Sequence, residues 1–208
     1  MPSNKNIPYN IALPLMEDFD SIQGEGFHQG KPAYFIRLGG CDINCPWCDV
    51  PESWEASDHK NINPQQLLEN LVESKAEIVI ITGGEPLMYD LTDLTDFVHS
   101  LAKKTHLETA GAHTLTGNWD WICISPKRFK KVNPDIISKA NELKVVISRE
   151  NDFRFAEKHA KMCNSNCHFY LQPEWDVNEE LMPSMINYVK ENSKWRLTLQ
   201  IHKYLGVR

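Results

Sequence analysis

The chain has 208 residues, of which 41% are hydrophobic and 24% are charged. These fractions are close to the averages of globular proteins and exclude collagen-like, intrinsically disordered and membrane-embedded classes. The formal net charge of -6 argues against a broad nucleic-acid-binding surface, because phosphate groups are bound by clustered positive charge. We therefore expect one domain, residues 1–208, that acts on a small molecule.

The N-terminal segment and the cysteines indicate the compartment. Residues 1–10 are polar, and no apolar run approaches the ~20 residues that span a bilayer, so neither a secretory signal nor a membrane anchor is predicted. We expect a cytoplasmic protein. In that reducing environment, the six cysteines indicate metal binding or redox chemistry rather than disulfides.

Strand-like and helix-like segments alternate along the chain. Residues 33–38 predict a buried strand, and Asn63 followed by Pro64 predicts the start of a helix that ends near Ser74. Residues 77–81 predict the next strand, and residues 91–103 the next helix. Further short strands are predicted at residues 106–109, 121–124, 143–147, 169–172 and 195–201.

This alternation predicts parallel strands joined by right-handed crossovers. Two architectures remain open, a doubly wound sheet and a barrel-like curved sheet, and around six strands are too few for a complete barrel of ~250 residues. In both architectures ligands bind where strands end at their carboxyl edge. Three polar segments follow predicted strands in this way: 41–48, 82–86 and 125–127.

Cys41, Cys45 and Cys48 lie within one short segment that follows Gly39 and Gly40. Thiolates bind zinc and iron–sulfur clusters, and a metal site with three thiolates needs a fourth ligand. For a structural zinc site the candidates are His59, Cys123, Cys163, Cys167 and His168, and none has the paired spacing of a zinc ribbon. A cluster held by three cysteines instead leaves one iron open to a small molecule. The C-x3-C-x2-C spacing, with an aromatic residue before the last cysteine, is typical of radical S-adenosylmethionine (SAM) enzymes.

Two further features are ambiguous without context. The segment 82–86, Thr-Gly-Gly-Glu-Pro, predicts a tight turn in which the Glu85 carboxylate is available to an ammonium group. Arg37 lies in an apolar predicted strand and needs a partner, because an unpaired buried charge is costly. Its partner is either Glu25 or Asp49 in a structural ion pair, or the carboxylate of a substrate.

Taken together, these motifs resemble the 7-carboxy-7-deazaguanine synthases, a family of radical SAM enzymes. The resemblance extends from residue 19 to residue 208 and is carried by residues 21–26, 35–38, 41–49, 81–86, 108–109, 125–127 and 200–205. The family consists of homodimeric carbon–nitrogen lyases that convert 6-carboxy-5,6,7,8-tetrahydropterin to 7-carboxy-7-deazaguanine with loss of ammonia, in queuosine biosynthesis. The resemblance therefore implies an α/β fold, namely a partial (β/α) barrel of about six mainly parallel strands.

The resemblance also implies three sets of site residues. Cys41, Cys45 and Cys48 would hold a [4Fe–4S] cluster. SAM would be contacted by Trp47, Gly84, Ser125, Pro126, Lys127 and Gln172. The pterin would be surrounded by Ile22, Gln23, Gly24, Glu25, Arg37, Thr82, His202 and Arg208, with Arg37 meeting its carboxylate. No residue is assigned as an acid or base, because an adenosyl radical abstracts the hydrogen, and a flavodoxin or ferredoxin would supply the electron.

One departure from the family concerns magnesium. After the last cysteine the family has Asp and then Thr, whose hydroxyl binds Mg²⁺, whereas this chain has Asp49 and Val50. Valine offers no oxygen, so Mg²⁺ is bound through substrate, water and Asp49, or the enzyme dispenses with it. Two alternative functions remain: another radical SAM enzyme, such as a glycyl-radical activase, and a zinc-stabilised binding module without catalysis.

Overall fold

Seven parallel strands form the main part of the fold in the computed structural model, which describes residues 7–208. The first six residues of the predicted domain therefore lie outside the described part of the chain. The strands are β1 (Pro14–Ile22), β2 (Pro32–Leu38), β3 (Lys60–Asn61), β4 (Ile78–Gly83), β5 (Lys104–Thr109), β6 (Trp121–Ile124), β7 (Glu142–Ile147), β8 (His168–Pro173) and β9 (Trp195–Leu197). They form one sheet in the order β3-β1-β2-β4-β5-β6-β7-β8-β9.

The parallel architecture predicted from the sequence is confirmed. Strands β2 and β4 to β9 are all parallel neighbours, and the sheet remains open with β3 and β9 at its edges, as in a partial barrel. The prediction of about six mainly parallel strands is confirmed by seven such strands, to which the structure adds two antiparallel ones. β1 and β3 were missed: β1 pairs antiparallel with β2 and β3, and β1 mixes Glu and Asp with apolar residues and gives no clear strand pattern.

The helices of the described residues are α1 (Pro64–Glu73), α2 (Thr92–Ser100), α3 (Pro134–Ile137), α4 (Asn151–Ala160), α5 (Asn178–Glu191) and α6 (Ile201–Leu205). The strand predicted at residues 195–201 ends at Leu197, and α6 begins at the last residue of that range. Within residues 7–208, no helix has the length and apolar character needed to cross a membrane.

The two faces of the sheet differ in character, because successive residues of a strand point to opposite faces. One face packs in the main hydrophobic core, to which Ile36, Val79, Ile81, Leu107 and Val145 contribute fully buried side chains. The other face is apolar only on the side of β2 and β4, where residues 33, 35, 78 and 80 cluster with Phe19. From β4 to β8 it carries buried polar side chains: Thr82, His106, Glu142, Lys144 and Gln172.

The start of α1 agrees with the predicted cap. The Asn63 side chain accepts hydrogen bonds from the backbone N–H groups of Gln65 (3.0 Å) and Gln66 (3.3 Å), and Pro64 occupies the first helical turn. These bonds satisfy two donors that have no partner inside the helix.

Replacing the cap tests its contribution to stability. Asn63→Ala removes the acceptor, and we expect the free energy of unfolding to fall by about 1 kcal/mol. Asn63→Asp keeps an acceptor and should retain the stability of the unmodified chain. Urea denaturation followed by circular dichroism measures the difference. Equal unfolding midpoints for Asn63→Ala and the unmodified chain would show that the cap contributes nothing.

Candidate active site

The cysteine segment forms a loop that is held by its own backbone. Gly40 and Cys41 donate their N–H groups to the carbonyls of Ser53 (2.7 Å) and Trp54 (3.0 Å), and the Cys48 N–H donates to the Cys45 carbonyl (3.0 Å). All three thiols are free and pack in a small apolar cluster with Ile43 and Trp47, among others. Burial raises the pKa of the Cys45 thiol, an effect that nearby Lys127 opposes.

The turn after β4 packs directly against this loop. The Gly84 N–H donates to the Leu38 carbonyl and the Glu85 N–H to the Gly40 carbonyl, both at 2.8 Å. A Cβ atom on Gly84 would lie 2.0 Å from the Gly40 carbonyl oxygen and 3.0 Å from the Cys41 Cβ atom. Such contacts are prohibitive, so only glycine permits the two segments to meet.

The Glu85 carboxylate is not available to a ligand in the expected way. It is 1% exposed and accepts hydrogen bonds from the Leu87 N–H (3.1 Å), the Ala110 N–H (2.8 Å) and the Thr109 hydroxyl. Burial raises its pKa, and these hydrogen bonds act in the opposite direction. Glu85 therefore ties the turn after β4 to the end of β5.

A cavity of about 300 Å³ opens at the carboxyl edge of the parallel strands. The three cluster cysteines line it, and so do Asp49, Val50 and every residue that the resemblance assigned to SAM or the pterin except Pro126. Pro126 is buried in the same loop as Ser125 and Lys127, which do line the cavity. We refer to this space as the main cavity.

Gln23 and Thr82 share one partner in the main cavity. The Gln23 Nε2 donates to Glu108 Oε1 (2.8 Å), and the Thr82 hydroxyl donates to Glu108 Oε2 (3.3 Å). The Glu25 N–H donates to Gln23 Oε1 (3.0 Å), so the amide of Gln23 is fixed at both ends. Glu108 thereby sets the orientation of two residues that were assigned to the substrate.

Glu25 forms a buried ion pair with Lys144 on β7. Burial by itself would raise the pKa of Glu25, but the Lys144 ammonium outweighs it and the pKa is lowered. Burial would likewise lower the pKa of Lys144, but Glu25 and Glu108 raise it well above its usual value. Both groups are therefore charged at neutral pH.

Gln172 has a buried side-chain oxygen that is available to a ligand. Its side chain is buried, and its Nε2 donates to Glu25 Oε1 (3.2 Å). Its Oε1 is buried as well and has no hydrogen-bond partner among residues 7–208. A buried polar atom without a partner is unfavourable, so this oxygen fits a hydroxyl or amine donor of a bound molecule.

Arg37 pairs with neither of the acids considered from the sequence. Its Nε donates to Glu17 Oε1 at 2.9 Å, across the pairing of β1 and β2 that places the two residues opposite each other. Arg208 forms an ion pair with the same carboxylate. Two guanidinium groups thus share one acid at the wall of the main cavity, which leaves positive charge for an anionic ligand.

His202 packs against the backbone of Gly24. A Cβ atom on Gly24 would lie 2.0 Å from His202 Nδ1, so the contact requires glycine. The Ile201 N–H donates to the Gly24 carbonyl (3.1 Å), which fixes the start of α6 over the main cavity. Burial lowers the pKa of His202, and it is neutral at pH 7.

The protein groups near Val50 do not form a magnesium site. Both Asp49 oxygens accept hydrogen bonds, from Gln200 Nε2 (2.8 Å) and Lys203 Nζ (2.7 Å), and the Val50 side chain contains no oxygen. Among residues 7–208, no three His, Cys, Asp or Glu side chains lie close enough together to hold one metal ion, and this includes the three cysteines. The cysteines need not converge on one ion, because each thiolate of a [4Fe–4S] cluster binds a different iron.

The cysteine loop, in contrast, fits an iron–sulfur cluster. Its three free thiols face one cavity, and the buried Lys127 ammonium lies close enough to favour the thiolate of Cys45. Lys127 Nζ also donates to the Ser125 carbonyl (2.8 Å) and hydroxyl (2.6 Å), which fixes its position. Thiolates are the usual ligands of iron–sulfur clusters.

Sequence reasoning missed three residues that shape the site: Glu17, Glu108 and Lys144. The sequence did indicate Lys144, because this charged residue interrupts an apolar predicted strand in the same way as Arg37. The sequence indicated Glu108 as well, because residues 108–109 are among the stretches that resemble the family. Glu17 carried no such signal, since its role depends on the register of β1 with β2.

The comparisons with known proteins agree with this site. Residues 35–150 match the family model of the Radical SAM superfamily. A 7-carboxy-7-deazaguanine synthase of Flavobacterium psychrophilum is 48% identical over 195 residues, which cover 94% of this chain and 92% of that protein. One of Synechocystis sp. is 46% identical over 198 residues, or 95% of both chains. The crystal structure of QueE from Escherichia coli is similar with a TM-score of 0.82 and 29% identity, over 95% of this chain and 98% of that one.

The relatives match nearly the whole chain, and the family model includes the cysteine loop. They support neither a zinc-stabilised binding module nor a glycyl-radical activase. The chain belongs to the 7-carboxy-7-deazaguanine synthase family of the radical SAM superfamily.

Proposed function

We propose that the chain is a radical SAM lyase that converts 6-carboxy-5,6,7,8-tetrahydropterin to 7-carboxy-7-deazaguanine and ammonia in queuosine biosynthesis. The observation that carries this proposal is the composition of the main cavity. Three thiols line one part of it, and Gln23, Glu25, Arg37 and His202 line another. A cofactor bound at the thiols would therefore adjoin a compartment with hydrogen-bonding groups for a heterocycle and a carboxylate.

The cofactors are a [4Fe–4S] cluster on Cys41, Cys45 and Cys48, and SAM. When bound, they supply an adenosyl radical that abstracts a hydrogen atom from the substrate. We assign Trp47, Gly84, Ser125, Lys127 and Gln172 to SAM, and Pro126 to shaping the same loop. The unpartnered Oε1 of Gln172 supports this assignment, since the SAM ribose offers hydroxyl donors.

The protein's own part is to bind and orient the pterin. Arg37 and Arg208, which share Glu17, supply the positive charge for its carboxylate. Gln23 and Glu25 are held by Glu108 and Lys144 and can face the edge of the ring. Ile22, Gly24, Thr82 and His202 complete the walls of this compartment.

We further propose a cytoplasmic homodimer that receives its electron from a flavodoxin or ferredoxin. The ring of Phe129 is 51% exposed and lies 5.3 Å from that of Trp47 in the cluster loop, between Arg128 and Lys130 in the chain. An exposed aromatic ring this close to the cluster loop favours docking of a redox protein there, whereas Arg128 and Lys130 are already paired with Asp152 and Asp42. The exposed apolar side chains of Tyr204, Leu205 and Val207 support a subunit contact.

The proposed reaction is tested directly in the absence of oxygen. Reconstituted protein is incubated with SAM, a reductant and 6-carboxytetrahydropterin, and deazaguanine is measured by chromatography and mass spectrometry. We expect 7-carboxy-7-deazaguanine to form in step with ammonia. Formation of 5'-deoxyadenosine without any deazaguanine would retain the radical chemistry and refute the assigned substrate.

Cys45→Ala tests the cluster. It removes one of three thiolate ligands, so we expect the brown colour, the content of about four irons per chain and turnover all to be lost. Cys163→Ala is the matched control, because Cys163 lies between α4 and β8, away from the main cavity. It should keep both iron and turnover. An active, brown Cys45→Ala protein would refute the assignment.

Val50→Thr tests the magnesium requirement. Because the protein supplies no free oxygen at this position, we expect turnover of the unmodified chain to change little when Mg²⁺ is removed by a chelator. Introducing a hydroxyl should make turnover respond to Mg²⁺ at concentrations roughly tenfold lower, and Val50→Ala should not. Turnover of the unmodified chain that stops in chelator and returns with Mg²⁺ would contradict this expectation.

A further inference from the structure

Buried polar side chains continue from the main cavity towards the opposite end of the strands. Glu108, Cys123 and Glu142 are in register across β5, β6 and β7. One level lower, His106 of β5 is in register with Trp121 of β6. Glu142 is 4% exposed and His106 is 5% exposed, so this polar column lies in the interior of the barrel.

Three cavities lie one after another along this column. The main cavity shares Gln23, Glu25, Glu108 and Cys123 with a narrow space that we call the neck. The neck in turn shares His28, His106 and Trp121 with a third cavity, of about 460 Å³, at the amino-terminal ends of the strands. That third cavity, the lower mouth, is bordered by the exposed Lys31 and Lys104, among others. The polar interior thus connects the active site to a second opening.

The size of the neck limits what can pass. Its volume is about 10 Å³, which is close to the space of one water molecule. A pterin or deazapurine ring cannot enter, whereas water and ammonia can. Passage of either requires the rings of His28, His106 and Trp121, which pack against one another, to move apart.

The lining of the neck is suited to a small hydrogen-bonding molecule. Neither ring nitrogen of His28 has a hydrogen-bond partner among residues 7–208, although both are buried. The His28 and His106 rings lie 4.6 Å apart. Burial lowers the pKa of His28 to about 4 and that of His106 to about 3, so both rings are neutral and offer acceptor nitrogens.

This polar lining is not what stability alone favours. On the neighbouring strand β4 the same face carries Ile78 and Ile80, and Ile80 itself lines the neck beside the polar groups. Burial of Glu142 raises its pKa to about 6, which reflects the cost of placing a carboxylate there. Glu142 accepts hydrogen bonds from the Phe27 N–H and Trp121 Nε1, both at 3.2 Å, so part of its cost is offset by structural contacts. The His28 ring nitrogens have no such partners within residues 7–208, and they are the polar groups of the neck that structure alone does not explain.

We propose that the neck is an exit for ammonia, by which the small product leaves through the lower mouth while the deazapurine still occupies the main cavity. This inference rests on the proposed function. In that reaction both bonds from the leaving ring nitrogen to carbon break, and a new carbon–carbon bond closes the five-membered ring. The nitrogen takes up two hydrogens of the substrate and leaves as ammonia, so the two products together contain every atom of the substrate. The carboxylates at the upper end of the neck and the neutral imidazoles below accept the N–H groups of ammonia. After leaving the lower mouth, the ammonia is protonated to ammonium in the solvent.

Blocking the neck should delay the release of ammonia without slowing the formation of deazaguanine. In His28→Phe an apolar ring replaces the two buried nitrogens, and His106→Leu removes the second imidazole. Lys31→Met is the control, because Lys31 borders the lower mouth and does not line the neck. In single turnovers, deazaguanine formed is measured after acid quenching, and free ammonia is measured by a coupled enzyme without quenching.

In the unmodified chain and in Lys31→Met, we expect free ammonia to appear as fast as deazaguanine is formed. In both histidine variants it should appear roughly tenfold more slowly and together with released deazaguanine. Free ammonia that keeps pace with deazaguanine formation in both variants overturns the proposal. If the unmodified chain forms no deazaguanine, the proposed function itself fails, which is a different result.

A second measurement does not depend on the stability of the variants. A high-resolution crystal structure of the unmodified holoenzyme should contain ordered water molecules in the neck, in contact with the His28 ring nitrogens and continuous with Glu108. The His28 ring already packs against the rings of His106 and Trp121 at 4.6 Å, so the deciding observation is the water. A neck without ordered water overturns the proposal.

Discussion

The active site depends on a backbone contact between two loops. The turn after β4 and the cysteine loop after β2 meet through the Gly84 and Glu85 N–H groups, at a distance that leaves no room for a Cβ atom on Gly84. Glu85 then fixes the turn to the end of β5 from inside. A cluster and a sulfonium cofactor need ligands from separate strands at defined positions, and this contact supplies that rigidity without a covalent link. The Gly-Gly-Glu-Pro segment therefore has a structural task that precedes any contact with SAM.

The parallel strands and the position of the site could be predicted from the sequence because both follow from local patterns. Residues 33–38 and 121–124 are short apolar runs, and the chemistry-bearing residues follow them directly. The partners of buried charges could not be predicted in this way. Arg37 is paired with Glu17 because β1 runs antiparallel to β2 with a particular register, and a shift of one residue would point Glu17 to the other face. Local sequence contains no information of that kind.

Pairing also explains why the barrel tolerates so much buried charge. Glu25 and Lys144 neutralise each other, and Glu108 receives two hydrogen bonds from Gln23 and Thr82. Each group is costly to bury alone and acceptable as part of a network. The network holds the side chains that we propose to face the substrate in fixed positions, so less ordering would be required on binding. The histidines of the neck are the exception, since the His28 ring nitrogens lack such partners.

The replacement of threonine by valine after Asp49 has an electrostatic counterpart in α6. Lys203 Nζ lies 2.7 Å from Asp49 Oδ1, so an ammonium group already neutralises the carboxylate next to which a magnesium ion would bind. A second cation there would have to compete with Lys203 and would gain no ligand from Val50. Lys203 also lies over the Trp175 ring at 4.6 Å, and the Gln200 amide binds the other Asp49 oxygen. In this chain, Asp49 therefore connects the cluster loop to the segment that covers the main cavity.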